Sequence, residues 1–336
     1  MQTSSTITAV RRKGTPPESG VQELLRSLKE IGIEKKTVAE VLPIWWDNSI
    51  AEDPAGLIEL KVMLARRFSL DPATMFDDEK NVDFLPIVRK YKGGSDSKDL
   101  GVATGIASSL CRTALSFMGV QDVSSFADPA ALRASILATG AHFVGMRELL
   151  SVCWRANVPV LHVSLPPGLL KFDALVTSSA DKYAISLCRN EDSDAWLAFH
   201  IAHEIGHIAL GHLVGDAMLV DEKIETNPFV AQQEREANEY AAVLMGSSNV
   251  KLPALSYSDA ASFLNAGRKE KVLPGHLVLK AGSEGDFKCA RAVLKRVEGK
   301  TQARKLINDW CAEELSSRWN YDAEEFISQF FHKSGV

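Results

Sequence analysis

The stretch Phe199-His200-Ile201-Ala202-His203-Glu204-Ile205-Gly206-His207-Ile208-Ala209-Leu210 carries the pattern H-E-x-x-H inside an otherwise apolar run. On an α-helix, positions four apart lie about 40° from one another around the axis. His203 and His207 therefore present both imidazoles to one point, at a spacing that a tetrahedral zinc ion can bridge. Glu204, one residue after the first imidazole, is poorly placed to join the same ligand set. It can accept a proton from a water that the ion activates, the general-base role this pattern implies. Gly206 leaves room for a second element to pack closely.

Two further histidines flank the pair. His212 lies five residues past His207, about 140° away around a continuing helix, and the longer three-histidine pattern would need its last histidine at position 213, where Leu213 stands. His200 shares the angle of the ligand face but sits roughly a turn too far along the axis. Both read as packing or supporting residues rather than ligands.

A catalytic zinc site takes three protein ligands, and the third is expected from a second helix. The segment Glu234-Arg235-Glu236-Ala237-Asn238-Glu239-Tyr240-Ala241-Ala242 opens such a helix, with Ala237, Tyr240, Ala241 and Leu244 on its inner face. Glu234 and Asn238 are four apart and share a face. That spacing suits a metal carboxylate followed one turn later by a polar residue that orients a histidine ligand. The plainer alternative is that Glu234, Glu236 and Glu239 only solvate the helix start.

The run His203-Glu204-Ile205-Gly206-His207 with Glu234-x-x-Ala237-Asn238-x-Tyr240-Ala241-Ala242 resembles the ImmA/IrrE metallo-endopeptidases, which carry H-E-x-G-H and then E-x-x-A-N-x-F-A. Tyr240 stands where that family has Phe, and Met245-Gly246 stands where it has Met-Pro. The likeness covers about Val158 to Met245. It implies a zincin-like domain in which His203, His207 and Glu234 bind Zn2+ and Glu204 is the base, with Glu236 as the fallback third ligand. It further implies a protein substrate, a transcriptional repressor whose cleavage relieves repression in stress or on mobile-element induction. Tyr183, Tyr240 and His212 are candidate oxyanion donors, and Asn238 and His212 candidate supports for the ligands. The alternative is a non-catalytic regulator that binds DNA or a toxin and uses the zinc only structurally.

Outward from this centre, the period changes. Val158 to Val163, Ala174 to Ser178 and Tyr183 to Cys188 alternate as short strands, so a small sheet precedes the metal-site helix. The strand from Lys182 to Cys188 either offers an open edge to which a substrate segment adds as a further strand or is an ordinary paired strand. Helical stretches are expected at about 102–118, 128–139 and 145–156.

Toward the N-terminus, residues 1–20 are rich in Ser, Thr, Pro and Gly and read as a flexible arm. Val21, Leu24, Leu25, Leu28 and Ile31 recur at helical steps, Gly32 stops that helix, Thr37 to Leu42 form a second, and a third runs from Pro54 to Phe68. This order is that of a helix-turn-helix unit and resembles the Xre-type repressor domain. In place of a basic recognition helix the chain has Pro43-Ile44-Trp45-Trp46-Asp47-Asn48, and residues 21–80 hold 8 basic against 12 acidic side chains. That balance disfavours DNA as the partner and favours docking on the chain itself or on another protein.

The whole reads as a mostly helical α+β protein: an arm at 1–20, a helix-turn-helix-like module at 21–90, a linker at 92–101, a zincin-like peptidase domain at 102–250 and a helical extension at 251–336. Its 336 residues with 46% hydrophobic content suffice for a large core. A net charge of -5 excludes a global field that would draw the chain to nucleic acid or membrane. Locally, residues 268–305 hold 11 basic and 4 acidic side chains, either a surface for an acidic partner or a solvated helical face. The apolar window from Trp196 to Val220 contains four histidines, Glu204 and Asp216, a load that no membrane span would carry. Five cysteines with no C-x-x-C pair fit a reducing cytoplasm and core packing. A thiolate could silence the zinc by taking its open position, with Cys111 the residue weighed for it.

Overall fold

Leu24 and Leu28, one helical turn apart, are buried with Ile33, Val38 and Val41, and this periodicity sets the first two helices, α1 (Gly20–Glu30) and α2 (Lys35–Val41). The computed structural model of the chain describes residues 20–77, 79–86, 98–220, 228–283 and 285–331. The expected arm and linker lie outside the described residues, except Gly20 and residues 98–101, which are helical. After α2 comes a turn at Pro43–Trp46 and a 3-10 segment, Asn48–Glu52. No α-helix stands where a recognition helix would, and Ile44 and Trp45 are exposed there.

Aspartate–proline pairs then begin three helices: α3 (Pro54–Phe68), α4 (Pro72–Met75) and, beyond α5 (Lys98–Leu115), α6 (Pro129–Ala138). Proline costs nothing at a first helical position, because its missing N–H would have had no partner. The preceding carboxylates of Asp53, Asp71 and Asp128 accept the N–H groups one turn in, at 2.7 to 3.1 Å.

Next come α7 (Met146–Arg155), β1 (Val160–His162), β2 (Ala174–Ser179), β3 (Lys182–Leu187), α8 (Asp194–Ala209), β4 (Ala217–Val220) and α9 (Pro228–Met245). The three expected strands appear within two residues of their read bounds. β4 was not expected; it completes a four-stranded sheet in the order β1-β3-β2-β4. β2 and β3 form a hairpin closed by Ala180 and Asp181, both at positive φ, and the Ala180 N–H donates to Asp216 at 2.9 Å. β3 pairs with β2 on one side and, in parallel, with β1 on the other. It therefore offers no open edge, and of the two readings of Lys182–Cys188 the paired one holds. The other outer strand, β4, pairs among the described residues only with β2.

β2 and β3 are buried along most of their length, with α5 and α8 both packed on them. Five helices complete the chain: α10 (Ala260–Glu270), α11 (Pro274–Ser283), α12 (Phe287–Glu298), α13 (Ala303–Leu315) and α14 (Tyr321–Gln329). α14 closes back on the N-terminal helices. Arg67 stacks on Phe326 with 4.4 Å between guanidinium carbon and ring centre and donates to Val41 O and to Gln329 Oε1. Glu325 accepts the Ile44 N–H at 2.7 Å. One continuous core runs from Leu24 to Phe330, so all three expected segments contribute to it. With fourteen helices among the described residues and a small mixed sheet, the protein is α+β and mostly helical. No helix among them is long and apolar enough to cross a membrane.

Candidate metal centre

α8 is buried on nearly all sides. Its N-terminus is anchored by the Ser193 hydroxyl, which accepts the Trp196 N–H at 3.2 Å, and by Glu298 of α12, which accepts the Ala195 N–H at 2.7 Å. Its middle is where α9 crosses. A Cβ added to Gly206 would stand 3.1 Å from Tyr240 Cβ and 3.2 Å from both Ala237 Cα and Ala237 O, so glycine lets the two helices approach this closely. That contact fixes how α9 is turned about its own axis: Ala237 faces α8, and Glu234 and Asn238 flank it on the same side. Glu236, two residues or about 200° from Glu234, cannot face the same way.

The donors converge accordingly. His203 Nε2 lies 3.0 Å from His207 Nε2 and 3.0 Å from Glu234 Oε2, and His207 Nε2 lies 3.3 Å from Glu234 Oε1. Metal bonds of about 2.0–2.1 Å at tetrahedral angles place neighbouring ligand atoms about 3.3 Å apart. The observed separations fit that requirement, and two imidazole nitrogens with one carboxylate are a donor set suited to a divalent ion. The buried group His203, His207 and Glu234 could hold a metal ion.

The remaining polar atoms are arranged around these three. The His203 Nδ1–H donates to Asn238 Oδ1 at 3.1 Å, which directs its Nε2 toward the cluster. His207 Nδ1 lies 2.9 Å from His212 Nδ1, and His212 Nε2 lies 3.1 Å from Glu236 Oε2. Burial opposes the charge of Glu234, but hydrogen bonds from His203 and His207 overcome that cost and draw its carboxyl down to about 2. Burial also holds His207 below the ordinary histidine value, against the pull of Glu234. Glu204 is 1% exposed, carried inward by the same helix.

No protein-family model, curated protein or solved structure matches the chain.

Of the residues singled out in the sequence, the structure brings His203, His207, Glu234, Asn238 and His212 into one hydrogen-bonded group. The fallback ligand Glu236 joins this group only through His212: its carboxylate meets His212 and Gln232, not the three donor atoms. Tyr240 shares the inner face of α9, but its hydroxyl donates to the Phe126 carbonyl at 2.5 Å, and burial pushes its phenol up. It is thus committed to packing and is not an oxyanion donor. Tyr183 is the second residue of β3 and, among the described residues, makes no hydrogen bond to the cluster; its backbone is tied to Gln121. His200 sits between Trp196 and Phe199, outside the donor set. All five cysteines are buried. Burial pushes the Cys111 thiol up to about 12, with the charge of Glu204 adding to the effect, and the donor group of His203, His207 and Glu234 includes no cysteine.

His276 was not anticipated from the sequence. It stacks on Phe199 with 5.6 Å between ring centres and lies 2.8 Å from Ser247 Oγ, beneath the helix that carries the donors. Nothing in its local sequence marks it, because its position arises from α11 packing on α8.

Proposed function

We propose that the chain is a zinc-dependent endopeptidase that cleaves a transcriptional repressor. The observation that carries the reading is the meeting of His203, His207 and Glu234 at tetrahedral ligand separations, with Glu204 on the same buried helix. The resemblance of these residues to the ImmA/IrrE pattern supplies the substrate class, and the helix-turn-helix-like order of α1 to α3 accords with it. Zinc in this site would supply a Lewis acid that polarises a peptide carbonyl and acidifies a water. Glu204 takes the proton of the attacking water and delivers it to the leaving amine. Asn238 holds His203 with its Nε2 directed inward. The outer edge of β4, the strand that follows the loop after α8, is unpaired among the described residues and suits the addition of an extended substrate segment.

The test is co-expression with candidate repressors encoded beside the chain, comparing wild type with Glu204→Gln. A carboxamide cannot accept the proton, so the variant should lose cleavage by a factor of about 10^2 to 10^4 while keeping its fold and its zinc. Cleavage that persists in the variant, or a wild type that cuts no candidate, refutes the reading. Zinc content, compared between wild type and Glu234→Ala, tests the metal itself: about one ion per chain is expected, lost or weakened in the variant.

A further inference from the structure

The two histidine donors are supported in different ways. His203 leans on a neutral amide, Asn238, at 3.1 Å. His207 leans on a second imidazole, which in turn leans on a carboxylate that reaches the surface: the His212 side chain is 6% exposed and that of Glu236 42%. The backbone explains how His212 arrives there. On a continuing helix it would stand about 140° from His207, but α8 ends at Ala209, and Gly211 at φ 67° reverses the chain. The His212 N–H then donates to the His207 carbonyl at 3.1 Å, which brings the two rings side by side, 5.0 Å between centres.

The proton positions along this chain follow from counting. Two ring nitrogens 2.9 Å apart can share only one proton between them. If the Nε2 lone pair of His207 is directed at a metal, its single proton is on Nδ1 and points at His212 Nδ1, which must be bare. The proton of His212 is then on Nε2, where it points at Glu236 Oε2, 3.1 Å away. Each donor meets one acceptor, and the series ends on an anion.

We propose that His212 and Glu236 form a positioning relay that fixes the tautomer and orientation of His207 as a metal ligand and strengthens it as a donor. The proposal rests on the metal-site reading of His203, His207 and Glu234. It gives Glu236 a role in the site that is neither ligation nor solvation, and it makes the two zinc imidazoles inequivalent: one is backed by a neutral group and the other, through His212, by a negative charge. Outer partners of this kind change metal affinity by about 10- to 100-fold.

The first test needs no substitution. In 15N-labelled, zinc-loaded full chain, two-bond nitrogen–proton correlations should show His207 carrying its proton on Nδ1 and His212 on Nε2; a His212 proton on Nδ1 overturns the relay. The second is zinc affinity, measured by competition with a chelator. His212→Ala and Glu236→Ala should each weaken zinc by about 10- to 100-fold, and the double variant should be no weaker than His212→Ala alone, because both changes cut one series. His212→Asn retains an acceptor for the His207 proton and should restore part of the affinity, and Glu236→Ala should then add nothing in that background. Additive losses, or zinc binding that neither single substitution weakens, overturn the relay while leaving the metal site standing. A wild-type chain that binds no zinc overturns the metal reading and the relay with it.

Discussion

The crossing of α8 with α9 and the junction of α3 with α5 both close on a glycine, Gly206 in one and Gly105 in the other, and they carry different freight. At Gly105 an added Cβ would stand 2.4 Å from the Phe68 carbonyl oxygen. The polar groups around it serve the backbone: Ser69 Oγ donates to the Gly105 carbonyl at 2.7 Å and accepts from the Arg112 guanidinium at 3.0 Å, and Ser109 Oγ donates to the Arg66 carbonyl at 2.5 Å. At Gly206 the same close approach surrounds three histidines, two glutamates and an asparagine. Close backbone approach is therefore a means of bringing short, directed groups together, and the residues nearby decide whether the result is a joint or a site. The α3–α5 joint should govern stability, and the α8–α9 crossing should govern metal affinity.

The strongest challenge to that division is Phe68→Ala. Phe68 is fully buried, and its truncation should cost about 3–5 kcal/mol in denaturant unfolding, with zinc per folded chain unchanged; parallel loss of zinc affinity would erase the distinction. His276 gives an effect of about 3 kcal/mol that appears only in acid. Burial, with a smaller contribution from Lys280, lowers its pKa from 6.5 to about 4. Between those values the unfolded chain holds a proton that the folded chain lacks, so stability is full above 6.5 and falls as pH drops toward 4, by about 1.4 kcal/mol per unit. His276→Gln should flatten the difference in unfolding free energy between pH 7 and pH 4 relative to wild type; an unchanged pH dependence would show that the ring titrates normally.

Gly105→Ala comes next, at about 2 kcal/mol. The helix gains up to about 1 kcal/mol in propensity, but a backbone carbonyl stands in the way of the methyl and overpacking costs about 1–3 kcal/mol or more. Gly206→Ala should move stability least, by no more than about 1 kcal/mol, since its contacts at 3.1 to 3.2 Å are milder and the propensity gain offsets them. Its zinc affinity should nevertheless fall, because α9 is pushed away and takes Glu234 with it. A thermal melt and a chelator titration on the pair of alanine variants separate the two seams.

The helix with H-E-x-x-H, the second helix with Glu234 and Asn238, and the bounds of α3 were legible because each depends on spacing along one helix. What the sequence left open depends on contacts between elements. The spacing with Asn238 favours Glu234 over Glu236, but it is the Gly206–Ala237 approach that fixes the rotation of α9. β4 is four residues long and ends the apolar window from Trp196 to Val220, so only its pairing with β2 marks it as a strand. The central place of β3 follows from the parallel addition of β1, a pairing that the local alternation cannot encode. The sequence marks His212 as a support rather than a ligand, but the way it reaches His207 depends on the left-handed turn at Gly211. Gly211 was visible, but its φ was not.

The burial of all five thiols has a practical corollary. Thiol reagents attack the thiolate, and the native chain presents almost none, so a slow alkylating label reacts only with molecules that have opened. The pattern of labelled cysteines becomes a map of which parts loosen first. Cys111 on α5 would report on the layer beneath the sheet, Cys153 on α7, and Cys289 and Cys311 on the last helices, without a single engineered probe.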